Sequence, residues 1–312
     1  MNVDVVMPAY KPGQKFIRLI GMLSKQTVPV GKIIVMNTEE KWWSDRLVGE
    51  LKASADKVEV HHLTKAEFDH AGTRNAGIAH SDAEYVILMT DDAIPYDQEL
   101  VENLLKPFSD PKVGAVYARQ LAGEKAGIAE RFSREFNYPD RSEKKTIADL
   151  SRLGIKTFFC SNVCAAYRRK LFDELGGFKE PAIFNEDMVY AATLMDHGYA
   201  VCYAADAKVI HSHAYSNAQQ MHRNFDLAVS QAMHPEVFGR VKSESEGVRF
   251  VMRAFGYFTK HGRPFAIVPF VITSANKYYG YRMGKRYREL PEKTIMKYTM
   301  NPAFFEKMRG KI

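Results

Sequence analysis

Short apolar runs alternating with amphipathic stretches fill the first half of the chain. Val3–Met7, Lys32–Met36, Val58–His62, Tyr85–Met89 and Val113–Tyr117 read as strands, being rich in apolar and β-favouring residues. Between them, apolar positions recur at helical spacing over Phe16–Gln26, Trp43–Ser54, a segment opening near Gly72, and Asp97–Phe108. Such alternation predicts an α/β fold built on a doubly wound, mostly parallel sheet. After Arg119 the pattern loosens, and Glu124–Leu153 is polar, charged and helical in propensity, with no clear second series of strands. Order returns with Phe158–Tyr167, helices at Arg169–Leu175 and Asp187–His197, and a strand at Ala200–Tyr203.

The alternation ends around His234-Pro235. An α/β unit over residues 1–234 is therefore expected, followed by a helical extension over 235–312. The extension interleaves basic and aromatic residues, among them Arg249, Phe250, Arg253, Phe255, Tyr257, Phe258 and Tyr278. Pro264 and Pro269 are expected to break any single long helix there. From Val241 onward the chain carries 15 Lys/Arg against 5 Asp/Glu, a surplus of ten. The whole chain has 44 and 37, so the remainder holds 29 and 32 and is slightly acidic. The net charge of +7 therefore belongs to the extension, which points to an anionic partner there. A nucleic-acid module is not among its patterns.

At 46% hydrophobic, the chain can bury a real core. Cys160, Cys164 and Cys202 are too few for a disulfide framework and read as core thiols in a reducing compartment. No run of apolar residues is long enough for a transmembrane helix. A strand-like segment opens the chain, so no signal peptide is expected.

Four clusters of chemistry fall where a doubly wound sheet would gather its loops. Pro8-Ala9-Tyr10-Lys11-Pro12 follows the first strand and exposes an aromatic ring suited to stacking on a base. Asp69, Gly72, Arg74 and Asn75 sit at a helix start, where free N–H groups and a guanidinium form a seat for phosphate. Asp91 and Asp92 end the apolar Tyr85–Met89 strand, and buried carboxylates need a partner. Two acids at that mouth suit Mg2+ or Mn2+ shared with substrate phosphates. Glu186 and Asp187 open a helix, and the one that faces a cleft is a candidate general base. His211 and His213 follow a strand-like run, Ala207–Ile210. Because side chains alternate along an extended segment, at most one of them is expected to face the site and complete a metal's coordination.

Together these segments resemble the family 2 glycosyltransferases of the GT-A fold. The likeness spans about residues 1–225: the Val-Met-Pro-Ala-Tyr opening, Gly-Thr-Arg-Asn, the Asp91-Asp92 pair, and Gly176-Gly177-Phe178 followed by Glu186-Asp187 and a histidine. The resemblance makes Pro8, Ala9 and Tyr10 nucleobase contacts and Asp69 and Arg74 nucleotide contacts, and it sets Asp91 beside the sugar phosphate. It implies Asp92 as metal ligand, His211 as the preferred further ligand with His213 in reserve, and Asp187 as catalytic base. Two departures stand out. The second strand ends in Asn37-Thr38-Glu39 where many members carry a base-reading acid, which leaves Thr38 or Glu39 for that task. The acidic motif is Thr-Asp-Asp-Ala rather than Asp-x-Asp.

Within the family, Phe-Asp-His-Ala-Gly-Thr-Arg-Asn, Thr-Asp-Asp-Ala and the late His-Ser-His resemble bacterial rhamnosyltransferases that use dTDP-L-rhamnose. The implied activity is inverting, Mn2+- or Mg2+-dependent transfer onto a hydroxyl of a growing lipid-linked surface polysaccharide. The implied setting is the cytoplasm, with the basic extension on the anionic inner face of the membrane. Competing readings are a non-catalytic sugar-nucleotide or glycan-binding module, and transfer from another donor such as a UDP-hexose. A nucleotidyltransferase would want a Gly-rich, basic triphosphate loop that Pro8–Gly13 lacks. Acceptor, linkage, single or repeated addition, and oligomeric state stay open at this level.

Overall fold

The computed structural model describes residues 2–52, 56–213, 215–241 and 244–310. Nine strands form one sheet: β1 (Val3–Tyr10), β2 (Ile33–Thr38), β3 (Val58–Leu63), β4 (Tyr85–Met89), β5 (Ile94–Pro95), β6 (Val113–Leu121), β7 (Glu143–Lys145), β8 (Cys164–Arg168) and β9 (Ala200–Ile210). Their order is β3-β2-β1-β4-β8-β6-β9-β5, with β7 also on β9. The long ladders β1–β2, β2–β3, β1–β4 and β6–β9 are parallel. Antiparallel pairing is confined to the contacts of β5, β7 and β8. The sheet is thus mostly parallel, as expected.

Burial on both faces explains the near-continuous apolar strands. Along β1, Val3, Val5, Met7 and Ala9 face one layer, with Phe16, Leu19, Ile20 and Leu23 of the helix Gln14–Leu23. Val6 faces the other layer, with Ile78, Tyr167 and Tyr190. The helix Gly72–Ala79 lies so close that a Cβ on Gly77 would meet Val6 at 2.4 Å.

The predicted strands all form, but four of the five run further at their C-terminal ends. Cross-strand bonds carry polar residues such as Asn37, Thr38 and Gln120 into the sheet, where a hydrophobicity pattern stops short. The Trp43–Ser54 helix forms over Asp45–Lys52, and its predicted last two residues lie outside the described residues. Asp97–Phe108 shortens to Leu100–Leu105 plus a 3-10 turn that contains Pro107. Two segments differ in kind. Glu143–Lys145, expected to be helical, is a strand on β9, and Ala200–Tyr203 and Ala207–Ile210 are one strand with an irregular register.

The helix Asn217–Met233 crosses from the sheet to the C-terminal region. Against it packs the helix Ile267–Lys285, whose Gly280 and Gly284 approach the carbonyls of Met221 and Phe225 too closely for any Cβ. Pro269 sits in the first turn of that helix, where its missing N–H is tolerated, and so does not break it. The preceding helix Glu244–Lys260 buries Ala254 and Phe258, with Phe270, on Phe132. No helix among the described residues is long and apolar enough to cross a membrane.

Candidate active site

The pairing pattern brings the C-terminal ends of β1, β2, β4, β6 and β9 to one edge of the sheet. After β4, a turn closed by Ala93 N–H donating to Thr90 O carries Asp91 and Asp92. Ile210 is flanked by Leu121 of β6 and Ile94 of β5, which sets His211 beside Asp92. His211 Nε2 lies 3.5 Å and His213 Nε2 3.3 Å from the Asp92 carboxylate, and the two Nε2 atoms are 2.7 Å apart. Both histidines therefore face the site, correcting the expectation of at most one. Residues two apart on an extended chain share a side.

This donor set fits a divalent cation. Ligands about 2.1 Å from an octahedral ion stand about 3.0 Å from one another, close to the three separations found. One carboxylate and two imidazoles suit Mn2+ better than Mg2+, which prefers oxygen. Burial pushes His213 down to about 4 and lowers His211 as well, leaving both imidazoles neutral at neutral pH and able to ligate. Burial raises Asp92, but in acid, where both histidines are protonated, bonding to His211 and the charges of the two rings outweigh it and hold the acid down at about 2. A second grouping, Glu59, His61 and His80, lies towards the opposite edge of the sheet. Its imidazole rings stack in parallel at 3.6 Å, so their in-plane lone pairs do not converge.

Asp91 turns the other way. Its Oδ2 accepts the Tyr10 N–H at 3.1 Å, which ties the β1 exit loop to the β4 exit turn. Burial pushes Asp91 up to about 6. Tyr10 is exposed next to Trp42, with Lys11 and Lys65 near their rings, while Pro8 is half-buried and Ala9 and Thr38 are buried. Glu39 pairs with Lys41.

Asp69 and Arg74 are committed inside the fold. Asp69 accepts from the N–H groups of Ala71, Gly72 and Ala182, so the expected phosphate seat is filled by the chain's own carboxylate. Buried Arg74 donates to His70 O and lies 3.4 Å from Glu186. That contact separates the two adjacent acids. Burial pushes Glu186 up, but Arg74 and His70 outweigh it and hold it ionised below its ordinary value. Asp187 is half-buried, and burial followed by the Glu186 charge drives it well above the usual carboxylate range. Its oxygens accept the N–H groups of Asn162 and Met188. A basic, half-exposed carboxylate of this kind is suited to take a proton. Asn185, in the left-handed region at φ 60°, aims both acids and is held by its bond to Leu227 O.

Sequence reasoning missed Arg223, Gln120 and Trp42. Arg223 lies on the helix Asn217–Met233 with its guanidinium 4.6 Å from the Phe184 ring. Its charge is felt by Asp187, His211 and His213, and among the described residues it makes no ion pair. The one available signal was a cation on an otherwise half-buried helix face.

The chain matches Glycosyl transferase family 2 over residues 4–176, more than half its length. It is 36% identical to the O-antigen chain rhamnosyltransferase RfbN of Salmonella typhimurium, covering 99% of this chain and 98% of that one. It is 33% identical to the O-antigen chain rhamnosyltransferase WbaN of Salmonella anatum, covering 99% and 97%. Among solved structures it resembles the mannosyltransferase PcManGT from Pyrobaculum calidifontis, in complex with GDP-Man and Mn2+. There the TM-score is 0.57 at 16% identity, over 100% of this chain and 88% of that one, which bears on the fold alone. With an acidic-histidine corner, an adjacent basic carboxylate and a GT-A sheet that carries both, the chain belongs to glycosyl transferase family 2 and is a glycosyltransferase.

Proposed function

We propose that this enzyme transfers L-rhamnose, with inversion, from dTDP-L-rhamnose to a hydroxyl of a growing lipid-linked surface polysaccharide. The observation that carries the reaction type is the single edge on which Asp92, His211 and His213 meet while Asp187 remains basic and half-exposed. The sugar rests on similarity to two rhamnosyltransferases along their full length.

Asp187 takes the acceptor hydroxyl's proton as that oxygen attacks the anomeric carbon. Tyr10, with Pro8, Ala9 and Thr38, forms the wall for the base, and Trp42 adds a second ring. Asp91 holds that wall through the Tyr10 N–H. Asp69 and Arg74 serve the nucleotide indirectly, by shaping the loop beneath it. Arg223 offsets negative charge growing on the departing diphosphate. Asp92, His211 and His213 would hold Mn2+ or Mg2+, which when bound supplies further positive charge at that diphosphate.

Residues 235–312 act as an extension that seats the enzyme on the anionic inner face of the membrane. Val248, Met252 and Phe255 form one exposed stripe, and Phe265, Val268 and Ile272 another, with Arg249, Arg253, Lys260 and Arg263 exposed among them. Aromatic rings settle at headgroup level, and each nearby basic residue contributes about 1 kcal/mol.

The deciding experiment is a panel of sugar nucleotides tested by calorimetry with Mn2+, followed by transfer to a membrane-extracted acceptor. Binding and turnover with dTDP-L-rhamnose alone are expected. Preference for a UDP-hexose would overturn the donor, and binding without turnover on any donor would overturn the enzyme's proposed chemistry.

A further inference from the structure

Behind the histidine pair, one amide sits at the centre of the hydrogen bonds. Gln120 lies on β6 beside Val209, and the residue is only 2% exposed. Its Nε2 donates to Ser161 Oγ at 3.0 Å and to Tyr138 Oη. Its Oε1 faces Arg134 Nη1 and, at 3.0 Å, His211 Nδ1. Both N–H bonds and both lone pairs of the amide are therefore in use.

Arg134 decides which way round this amide stands. A guanidinium carries donors only, so the atom that meets Nη1 must be the carbonyl oxygen. The hydroxyls of Ser161 and Tyr138 can accept, and they take the amide N–H groups. The same oxygen then confronts His211 Nδ1. A proton on Nδ1 makes a hydrogen bond there, whereas a lone pair would meet another lone pair. The imidazole is thereby set with its proton on Nδ1 and its lone pair on Nε2, the atom that faces Asp92. The 2.7 Å between the two Nε2 atoms accords with this setting when the proton between them belongs to His213.

Two neighbours oppose this setting: the Asp92 carboxylate, 3.5 Å from Nε2, favours a proton on that nitrogen, and so, from the other side of the ring, does Arg134. Its Nη2 stands 3.3 Å from His211 Nδ1 and, as a donor, favours a lone pair there. The Gln120 oxygen is nearer and tips the balance. Without it, Arg134 becomes the chief partner of Nδ1 and the proton moves to Nε2, where it blocks a cation.

We propose that Gln120 is a positioning residue that locks His211 in its Nδ1–H form and so holds the Nε2 lone pair ready for a divalent cation. The inference rests on the reading of Asp92, His211 and His213 as a cation site. Loss of such an outer partner typically weakens metal binding about 10–100-fold.

The test uses the full chain, stripped with EDTA, and Mn2+ alone as probe. Titration followed by electron paramagnetic resonance of free Mn2+ is expected to show a Kd about 10–100-fold higher for Gln120→Leu. Gln120→Glu keeps an oxygen towards both Arg134 and His211 and is expected to stay within a few-fold of the parent. Nitrogen-15 spectra of His211 in the metal-free parent, which need no variant to fold, are expected to show the Nδ1–H form, and Gln120→Leu the Nε2–H form. Equal Mn2+ affinity in the parent and a folded Gln120→Leu, or an Nε2–H His211 in the parent, would overturn the role of Gln120. Absence of Mn2+ binding by the parent would instead overturn the cation site itself.

Discussion

At the corner where β4, β6 and β9 end, Asp92, His211, His213, Gln120 and Arg134 are bonded to one another. On the helices Glu244–Lys260 and Ile267–Lys285, by contrast, outward positions carry valine, methionine and phenylalanine, and Phe265 in the turn between them is 87% exposed. The corner satisfies buried polar groups, as a low-dielectric environment demands, because an unpaired one would be costly. The helices leave apolar groups in water, which folding alone does not reward. The first arrangement suits chemistry at fixed atoms. The second suits a surface met without fixed geometry.

The contrast is broken most severely at the corner. Asp92→Ala is expected to abolish transfer and to remove the Mn2+ dependence of nucleotide binding, read by turnover and calorimetry with and without EDTA. Near-normal, EDTA-sensitive turnover in that variant would take Asp92 out of the metal site.

Asp187→Asn comes next, with kcat lower by about 10²–10⁴-fold and donor affinity nearly unchanged. A large rise in donor Kd with little loss of kcat would make Asp187 a binding residue. Because burial and Glu186 raise its pKa, kcat in the parent should climb with pH through a limb well above the ordinary aspartate range, and Asp187→Asn should lose that limb. A limb at the ordinary aspartate position would remove the basis for this assignment.

A smaller effect is expected at the exposed helices. Replacing Phe255 and Phe265 by serine should weaken pelleting with anionic vesicles about tenfold or more, since burying one such ring is worth about 1.5–3 kcal/mol. Turnover on a detergent-solubilised acceptor should not change. Equal pelleting with neutral and anionic vesicles, insensitive to salt and to truncation after Phe238, would instead favour a protein partner or a second copy of the chain.

The smallest effect lies outside both regions, between the helix that follows β9 and the C-terminal segment. Asp226, on the helix Asn217–Met233, accepts the Met300 N–H at 2.8 Å, and burial pushes its pKa up to about 7. In the unfolded chain an aspartate titrates near its ordinary value, about 3.9. Between these values the folded state holds a proton that the unfolded state has lost, so stability is greatest below the unfolded pKa and declines as pH rises towards 7. Asp226→Asn should therefore melt a few degrees higher than the parent at pH 8 and lose that advantage near pH 4. The same difference at both pH values would mean that the charge of Asp226 is not felt.

Much of the fold was legible because burial on both faces leaves unbroken apolar runs such as Val3–Met7 and Tyr85–Met89. The ends of the strands were less so. Thr38 and Gln120 belong to strands through cross-strand bonds, not through their own hydrophobicity. Glu143–Lys145 pairs with β9 despite its helix-favouring, charged residues. In the site, Asp92 stood out as an acid ending a buried strand, whereas the seat drawn from Asp69 and Arg74 is closed by bonds to Gly72 and His70.

By itself the sequence determined the alternation of strands and helices, the places where acids interrupt apolar runs, and the basic surplus after Val241. These depend on neighbours a few residues apart, and periodicity records them. Only the tertiary structure decided that both histidines reach Asp92, that Arg74 holds Glu186 and leaves Asp187 basic, and that Gln120 stands behind His211. Those relations link residues as much as 121 positions apart in the chain, as Asp92 and His213 are. They follow from the order in which strands pair and from the burial that makes each unpaired polar group costly, neither of which a local pattern contains.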